Sequence, residues 1–311
     1  MFLQIVFIIV GVVLVLRGAD WLTDGAVALA ERMNIPQMVI GLTIVAVGTS
    51  APEFCVSLVS ALKGTADLAV GNVVGSNIFN TMLISGVAAM VAPMTVLPST
   101  VRKDVPIAVV ASFLLAAMVL FDGNVSRFDA AILAIGFAAF MWLTLRGAKG
   151  SAGEESTFPK GYSVGKSALL LVVGLACLVL GSNLFVDGAT YVAGALGVSE
   201  AVIGLTVVAG GTSLPELATS VVAARKGNSG IAIGNVLGSN VMNILLILGV
   251  AGLVCPMYVQ GITLVDFAML TGSILMLWLF ARTSLTVARW EGAVLTALFL
   301  AYMAWLVAGA V

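Results

Sequence analysis

The chain has no histidine, and only 9% of its residues are charged. Soluble domains usually carry about 25% charged residues. Without histidine, His-ligated haem, His-containing zinc sites and imidazole acid–base catalysis are excluded. Cysteine is scarce as well. Cys55, Cys177 and Cys255 lie far apart in apolar runs, which argues against a Cys-rich metal cluster and a disulfide framework. Neither sign of charge dominates: 14 Lys and Arg against 15 Asp and Glu leave a net −1. That excludes the basic footprint of a nucleic-acid binder.

What is abundant is apolar residue, 61% of 311 positions. One soluble core cannot hide that much, so the chain reads as an all-α polytopic membrane protein. Met1 to Leu16 lacks a basic n-region and a small-residue cleavage site. It reads as a first membrane helix, not as a removable signal peptide.

Apolar stretches near 20 residues or longer predict about ten spans: 2–30, 36–62, 67–92, 104–121, 127–145, 166–196, 199–224, 230–255, 262–281 and 288–309. Several are longer than a bilayer requires, so tilt or breakage is expected. Between the fifth and sixth lies a polar, Gly-containing stretch with Glu154, Glu155 and Pro159, which is linker chemistry. The expected domains are 1–146, a cytoplasmic linker 147–165, and 166–311. With the N-terminus outside, inner loops hold eleven Lys and Arg and outer loops hold two, Lys63 and Arg127. The positive-inside rule then puts both termini outside, in the plasma or inner membrane.

The sequence overlies itself at a shift of 163. GLTIVAVGTSAPE (Gly41 to Glu53) matches GLTVVAGGTSLPE (Gly204 to Glu216), and GNVVGSNIFN (Gly71 to Asn80) matches GNVLGSNVMN (Gly234 to Asn243). Asp24-Gly25-Ala26 matches Asp187-Gly188-Ala189. Of the 77 aligned positions from Gly18 to Met94, 38 are identical. Two copies of five spans, an odd number, must be inverted relative to each other. Inverted repeats mark secondary transporters, with the site at the interface of the halves.

The repeated segments concentrate unusual chemistry. Pro52 and Pro215 break their helices and are expected to free the carbonyls of Gly48 and Gly211. Thr49, Ser50, Thr212 and Ser213 add hydroxyls at that level, and Glu53 and Glu216 add carboxylates. Intramembrane carboxylates are costly and functional by default. Brought together, they give a site of charge −2 whose oxygen-only donors suit calcium or sodium over zinc or copper. Ser76 and Asn80, with copies Ser239 and Asn243, are spaced i, i+4 and share a helix face. Gly71, Gly75, Gly234 and Gly238 permit close helix approach. Each feature alone has an ordinary structural reading: Gly-x-x-x-Gly as packing, Asn77 and Asn240 as stitches, a proline as a kink, Cys55 as core. Their joint duplication is what points to a site. Asp20, Asp24 and Asp187 are expected to pair with Arg17, stitch helices or line an access path.

At these residues the chain resembles the sodium/calcium exchanger family of the cation/calcium exchanger superfamily, in its prokaryotic type. The resemblance implies that Glu53 and Glu216 bind calcium and sodium. It implies that Thr49, Ser50, Thr212, Ser213, Ser76, Ser239, Asn80 and Asn243 complete a cluster of adjacent cation sites, with carbonyls near Ala46 and Ala209 as further ligands. It also implies that the first helix of each half forms a sliding gate. Several relatives carry an acid where this chain has Asn243, which argues against potassium co-transport and leaves the sodium stoichiometry open. The linker is too short for a calcium-sensing domain. The expected function is antiport without a cofactor, calcium leaving in exchange for sodium, by a chain that suffices as a monomer. Proton/calcium antiport and a passive cation channel are the alternatives. A membrane enzyme finds no nucleophile–base set or cofactor motif.

Overall fold

A computed structural model of the protein describes residues 1–148, 162–197 and 209–310. Its twelve helical elements are α1 (Phe2–Met33), α2 (Gln37–Thr49), α3 (Ala51–Leu62), α4 (Ala66–Val91), α5 (Thr100–Asp122), α6 (Arg127–Ala148), α7 (Val164–Ala195), α8 (Ala209–Thr212), α9 (Leu214–Arg225), α10 (Ser229–Val254), α11 (Leu264–Ser284) and α12 (Arg289–Ala310). Eight of these, α1, α4, α5, α6, α7, α10, α11 and α12, are long and apolar enough to cross a membrane. The pair α2 and α3, bent by 50°, is long and apolar enough only when the two helices are taken together. The first part of the expected seventh span and most of the linker lie outside the described residues.

The expected boundaries agree with these helices to within about four residues, because Gly, Pro and polar residues punctuate each apolar run. What periodicity could not show is where the helices change pitch. Gly41–Val45, Phe79–Ile84, Thr100–Asp104 and Met242–Ile247 are π-helical. Such segments widen one turn and rotate the residues beyond it, frequently at functional sites. Asn80 and Asn243 both fall within one.

The bundle is layered from inside out. In α10, 83% of the apolar window is buried, against 22% in α1, α6 and α12. Phe121, Phe2, Phe128 and Ile135 are among the large apolar side chains exposed on the outer surface, as lipid contact requires. The two halves interleave: α12 packs on α4, α6 on α10, α11 on α5, and α10 on α2. Short antiparallel ribbons tie the loops. β1 (Met94–Thr95) pairs with β4 (Thr286–Val287), and β2 (Asn124–Val125) with β3 (Met257–Tyr258). Asp67 accepts the backbone N–H of Gln260 and Gly261 at 2.7 and 2.8 Å, fixing the loop after β3 on the start of α4.

Glycine sets the closest approaches. A Cβ on Gly18 would lie 2.7 Å from the Gly174 oxygen, and one on Gly11 2.7 Å from the Gly181 oxygen. Gly25 meets the Ser167 oxygen, and Gly188 the Gln4 oxygen. Seven residues forward on α1 correspond to seven back on α7, so the two helices run antiparallel with their backbones touching. Likewise Gly234 meets the Met38 oxygen and Gly238 the Leu42 oxygen, pressing α10 onto α2. This is the close approach to a proline-broken helix that the sequence suggested, made across the halves.

Candidate cation site

The α2–α3 break falls at Ser50 (φ −83°, ψ 9°), and the start of α9 repeats it at Ser213 (φ −91°, ψ 8°). Pro52 and Pro215 each fall in the first turn of the next helix, where a missing N–H costs nothing. Glu53 and Glu216 share those turns and are 1% and 0% exposed. The two carboxylates are close enough to interact electrostatically.

Their partners are exchanged between the halves. The Ser213 hydroxyl donates to Glu53 Oε1 at 3.0 Å, and the Ser50 hydroxyl donates to Glu216 Oε1 at 2.9 Å. Thr212 also lies beside Glu53, and Thr49 and Ser239 lie beside Glu216. Each serine thus serves the glutamate of the opposite half, so neither half alone builds the site. The sequence places Ser50 three residues from Glu53 and gives no sign of this exchange.

The unsatisfied atoms are the most informative. Glu53 Oε2, Glu216 Oε2, Asn80 Oδ1, Asn243 Oδ1 and Ser239 Oγ are buried and lack a hydrogen-bond partner among the described residues. Buried acceptors are normally paired, and leaving one unpaired costs about 1–3 kcal/mol, more when charged. Four of these five atoms can only accept, and two belong to the carboxylates. Such a set fits a hard cation with oxygen ligands. Ser76 is buried one turn before Asn80. The Ala46 carbonyl accepts Ser50 N–H at 3.0 Å and the Thr49 hydroxyl at 3.4 Å, so both of its lone pairs are engaged in this structure. Ala209 begins α8, and its side chain lies outside what is described.

A further layer escaped the sequence reading. Asn72 donates to the Glu53 carbonyl at 3.2 Å and to Ser57 Oγ at 2.8 Å. Asn235 donates to the Glu216 carbonyl at 3.3 Å and to Ser220 Oγ at 3.0 Å. Thr49 donates to Asn235 Oδ1 at 3.0 Å. These asparagines pin the backbone of each glutamate. Their signal was present: an amide in both copies of the GN-x-x-GSN motif, with a serine mate in both copies. Asn77 and Asn240 stitch the halves, as one reading held. Asn77 donates to the Asn240 carbonyl at 3.0 Å, and Asn240 donates to Thr81 Oγ1 at 2.7 Å. Asn77 also accepts from the Asn243 amide at 3.1 Å. Asp20 and Asp24 pair with Lys226, not with Arg17.

A family sequence model described as sodium/calcium exchanger protein matches residues 3–146 and 166–308. The chain belongs to the sodium/calcium exchanger family. Its members are transporters, not enzymes, and use no bound cofactor. Among its relatives, the Escherichia coli inner membrane protein YrbG is 37% identical, with 98% of this chain and 97% of the relative aligned. The sodium/calcium exchanger MaX1 of Methanosarcina acetivorans is 32% identical over 95% of this chain and 96% of its own length. Among solved structures, the sodium–calcium exchanger NCX_Mj soaked with 10 mM Na+ and 10 mM Sr2+ superposes with a TM-score of 0.86 at 35% identity, covering 97% of this chain and 98% of that one. The exchanger fold, membrane residence and the class of cation/calcium exchanger follow from these matches.

Proposed function

We propose that the protein is a sodium-driven calcium antiporter working by alternating access, extruding calcium as sodium enters. One observation carries the reading: two buried glutamates from opposite halves lie close enough to interact, each accepts from the serine of the other half, and each keeps one oxygen unpartnered. Glu53 and Glu216 are the central ligands. Thr49, Ser50, Thr212, Ser213, Ser76, Ser239, Asn80, Asn243 and the carbonyls of Ala46 and Ala209 complete the adjoining sites. The two carboxylates are neutralised by one calcium or by two sodium ions. Both loads together leave net positive charge in a site of low dielectric, which is strongly repelled. Occupancy is therefore exclusive, and a gate that moves only when the charge is satisfied turns transport into exchange. A third sodium makes the cycle electrogenic. Asn243 is neutral, which speaks against potassium co-transport.

The architecture proposed with this is ten spans in two inverted repeats, residues 1–146 and 166–311, joined by a cytoplasmic linker. Both termini are extracytoplasmic, in the plasma or inner membrane. Both half-sites lie in one chain, so a monomer suffices.

The test is calcium uptake into proteoliposomes loaded with sodium, beside vesicles loaded with choline and vesicles carrying a proton gradient. Uptake that requires the outward sodium gradient is the expected result. Uptake driven by protons alone assigns the same glutamates to proton/calcium antiport. Calcium flux that needs no counter-ion makes the protein a channel.

A further inference from the structure

Lys226 sits just past α9, the helix that carries Glu216. Its Nζ lies 3.0 Å from Asp20 Oδ1 and 2.9 Å from Asp24 Oδ1. The same ammonium donates to the Asp20 carbonyl at 3.4 Å. Asp20 and Asp24 stand one turn apart on α1. These contacts tie α1, through three bonds to one cation, to the helix that holds a site glutamate. Among the described residues these are the only ion pairs.

The shift of 163 carries Lys226 onto Lys63 and Asp24 onto Asp187, with the same residue types in both copies. Lys63 ends α3, the helix that carries Glu53, as Lys226 ends α9. Asp187 lies on α7. The second set of residues is therefore present in the sequence but not joined to each other in the structure: Lys63 and Asp187 are both exposed and make no ion pair among the described residues.

The two sets lie at opposite ends of the molecule. Gly188 meets Gln4, so Asp187 stands level with residue 5 of α1. Asp24 is 19 residues further along α1, about 28 Å at 1.5 Å per residue. Because α1 and α7 touch backbone to backbone along this length, they move as one body. A slide of that body relative to α3 and α9 changes both ends together.

We propose that Lys226 with Asp20 and Asp24, and Lys63 with Asp187, are two alternating ionic latches. One holds the α1–α7 pair against the core at one face of the membrane and the other holds it at the opposite face, and only one closes at a time. The proposal rests on the alternating-access reading above. On the proposed topology the closed Lys226 latch lies on the cytoplasmic face, so the structure is the state sealed on that side. The latches are unequal. Asp20 corresponds to Asn183 in the second copy, so the Lys63 latch has one carboxylate where the Lys226 latch has two. This biases the resting protein toward the state seen. Half-exposed ion pairs are individually weak, shifting an equilibrium by about fivefold or less, which suits a latch that must open in every cycle.

The experiment uses the full chain with Cys55, Cys177 and Cys255 replaced by alanine, carrying Lys63→Cys and Asp187→Cys, in proteoliposomes. Both engineered positions are exposed, and calcium exchange measured before the reagent is added shows that the substituted chain folds. A short bifunctional thiol reagent with a reducible arm is added during sodium-driven calcium flux. The expected result is a cross-link that stops flux, is reversed by reduction, and forms severalfold faster when Lys226→Gln is added. No cross-link in protein that still exchanges calcium for sodium overturns the latch and leaves the exchanger reading intact. A cross-linking rate that Lys226→Gln does not change also overturns it, since the two latches are then not coupled. Absence of calcium exchange by the unsubstituted protein in the same vesicles defeats the exchanger reading, and the latch with it.

Discussion

Glu53→Gln removes one charge and almost nothing else. The side chain keeps its size, and Gln still presents an oxygen to the Ser213 hydroxyl that now donates to Glu53 Oε1 at 3.0 Å. The Asn72 bond to the residue's backbone carbonyl is also retained. The electrostatic loss is large. At an effective dielectric near 20, a unit charge pair at 4 Å is worth about 4 kcal/mol. Removing the carboxylate therefore takes a gross ~8 kcal/mol from a bound calcium and ~4 kcal/mol from a bound sodium. Relief of desolvation offsets much of both. If a third survives, calcium affinity falls about 100-fold and sodium affinity about 10-fold. Stability moves the other way. Without ions, the substitution removes a buried charge, so the melting temperature in ion-free buffer holds or rises while the stabilisation by added calcium disappears. The assays are calcium flux in proteoliposomes and thermal unfolding with and without calcium. Glu216→Gln should behave alike, given its Ser50 partner. Near-normal calcium exchange in both variants would refute the reasoning, as would equal losses for calcium and sodium.

Asn235→Ala removes the amide that holds the Glu216 carbonyl, Ser220 and Thr49; at about 1 kcal/mol per bond, a destabilisation of about 2–3 kcal/mol and weaker calcium binding are expected, measured by thermal unfolding and calcium-dependent flux. Gly18→Val drives a side chain into the Gly174 backbone and should cost at least ~1–3 kcal/mol and impair transport. Gly136→Ala is the control, because its nearest neighbours are Leu245 methyls at 3.6 Å; it should hold or raise the melting temperature, since Ala is favoured over Gly in a helix by about 0.5–1 kcal/mol. Asn243→Asp raises the site charge to −3 and should strengthen monovalent cation binding severalfold or change the charge moved per cycle, read as current across a planar bilayer. An unchanged ion profile would remove Asn243 from the cluster.

Much of this was legible in the sequence, for identifiable reasons. The apolar runs fixed nearly every span, because a helix in lipid must be long and uninterrupted. The duplication singled out Glu53, Glu216 and their hydroxyl neighbours, because a carboxylate placed twice at depth has no bland explanation. What stayed hidden depends on contacts between distant segments. That Ser50 serves Glu216 and Ser213 serves Glu53 follows from how α2 and α9 cross, which local spacing does not encode. The π-helical turns at Asn80 and Asn243 left no mark on the apolar periodicity. Asn72 and Asn235 are duplicated just as clearly, but nothing local shows that each holds the backbone of a glutamate 19 residues away. In the sequence Lys226 is one of the eleven inner-loop charges and nothing more. Its reach back to Asp20 and Asp24 needed the packing of α1 against α9.

The central claim is that a cation sits between Glu53 and Glu216. Crystals grown in strontium, a calcium surrogate with a strong anomalous signal, test it most directly, with and without excess sodium. The account predicts one anomalous peak within coordination distance of both carboxylates, lost when sodium is raised and absent in Glu53→Gln. A map with no peak there, or a peak at another site that tracks calcium transport, would contradict it.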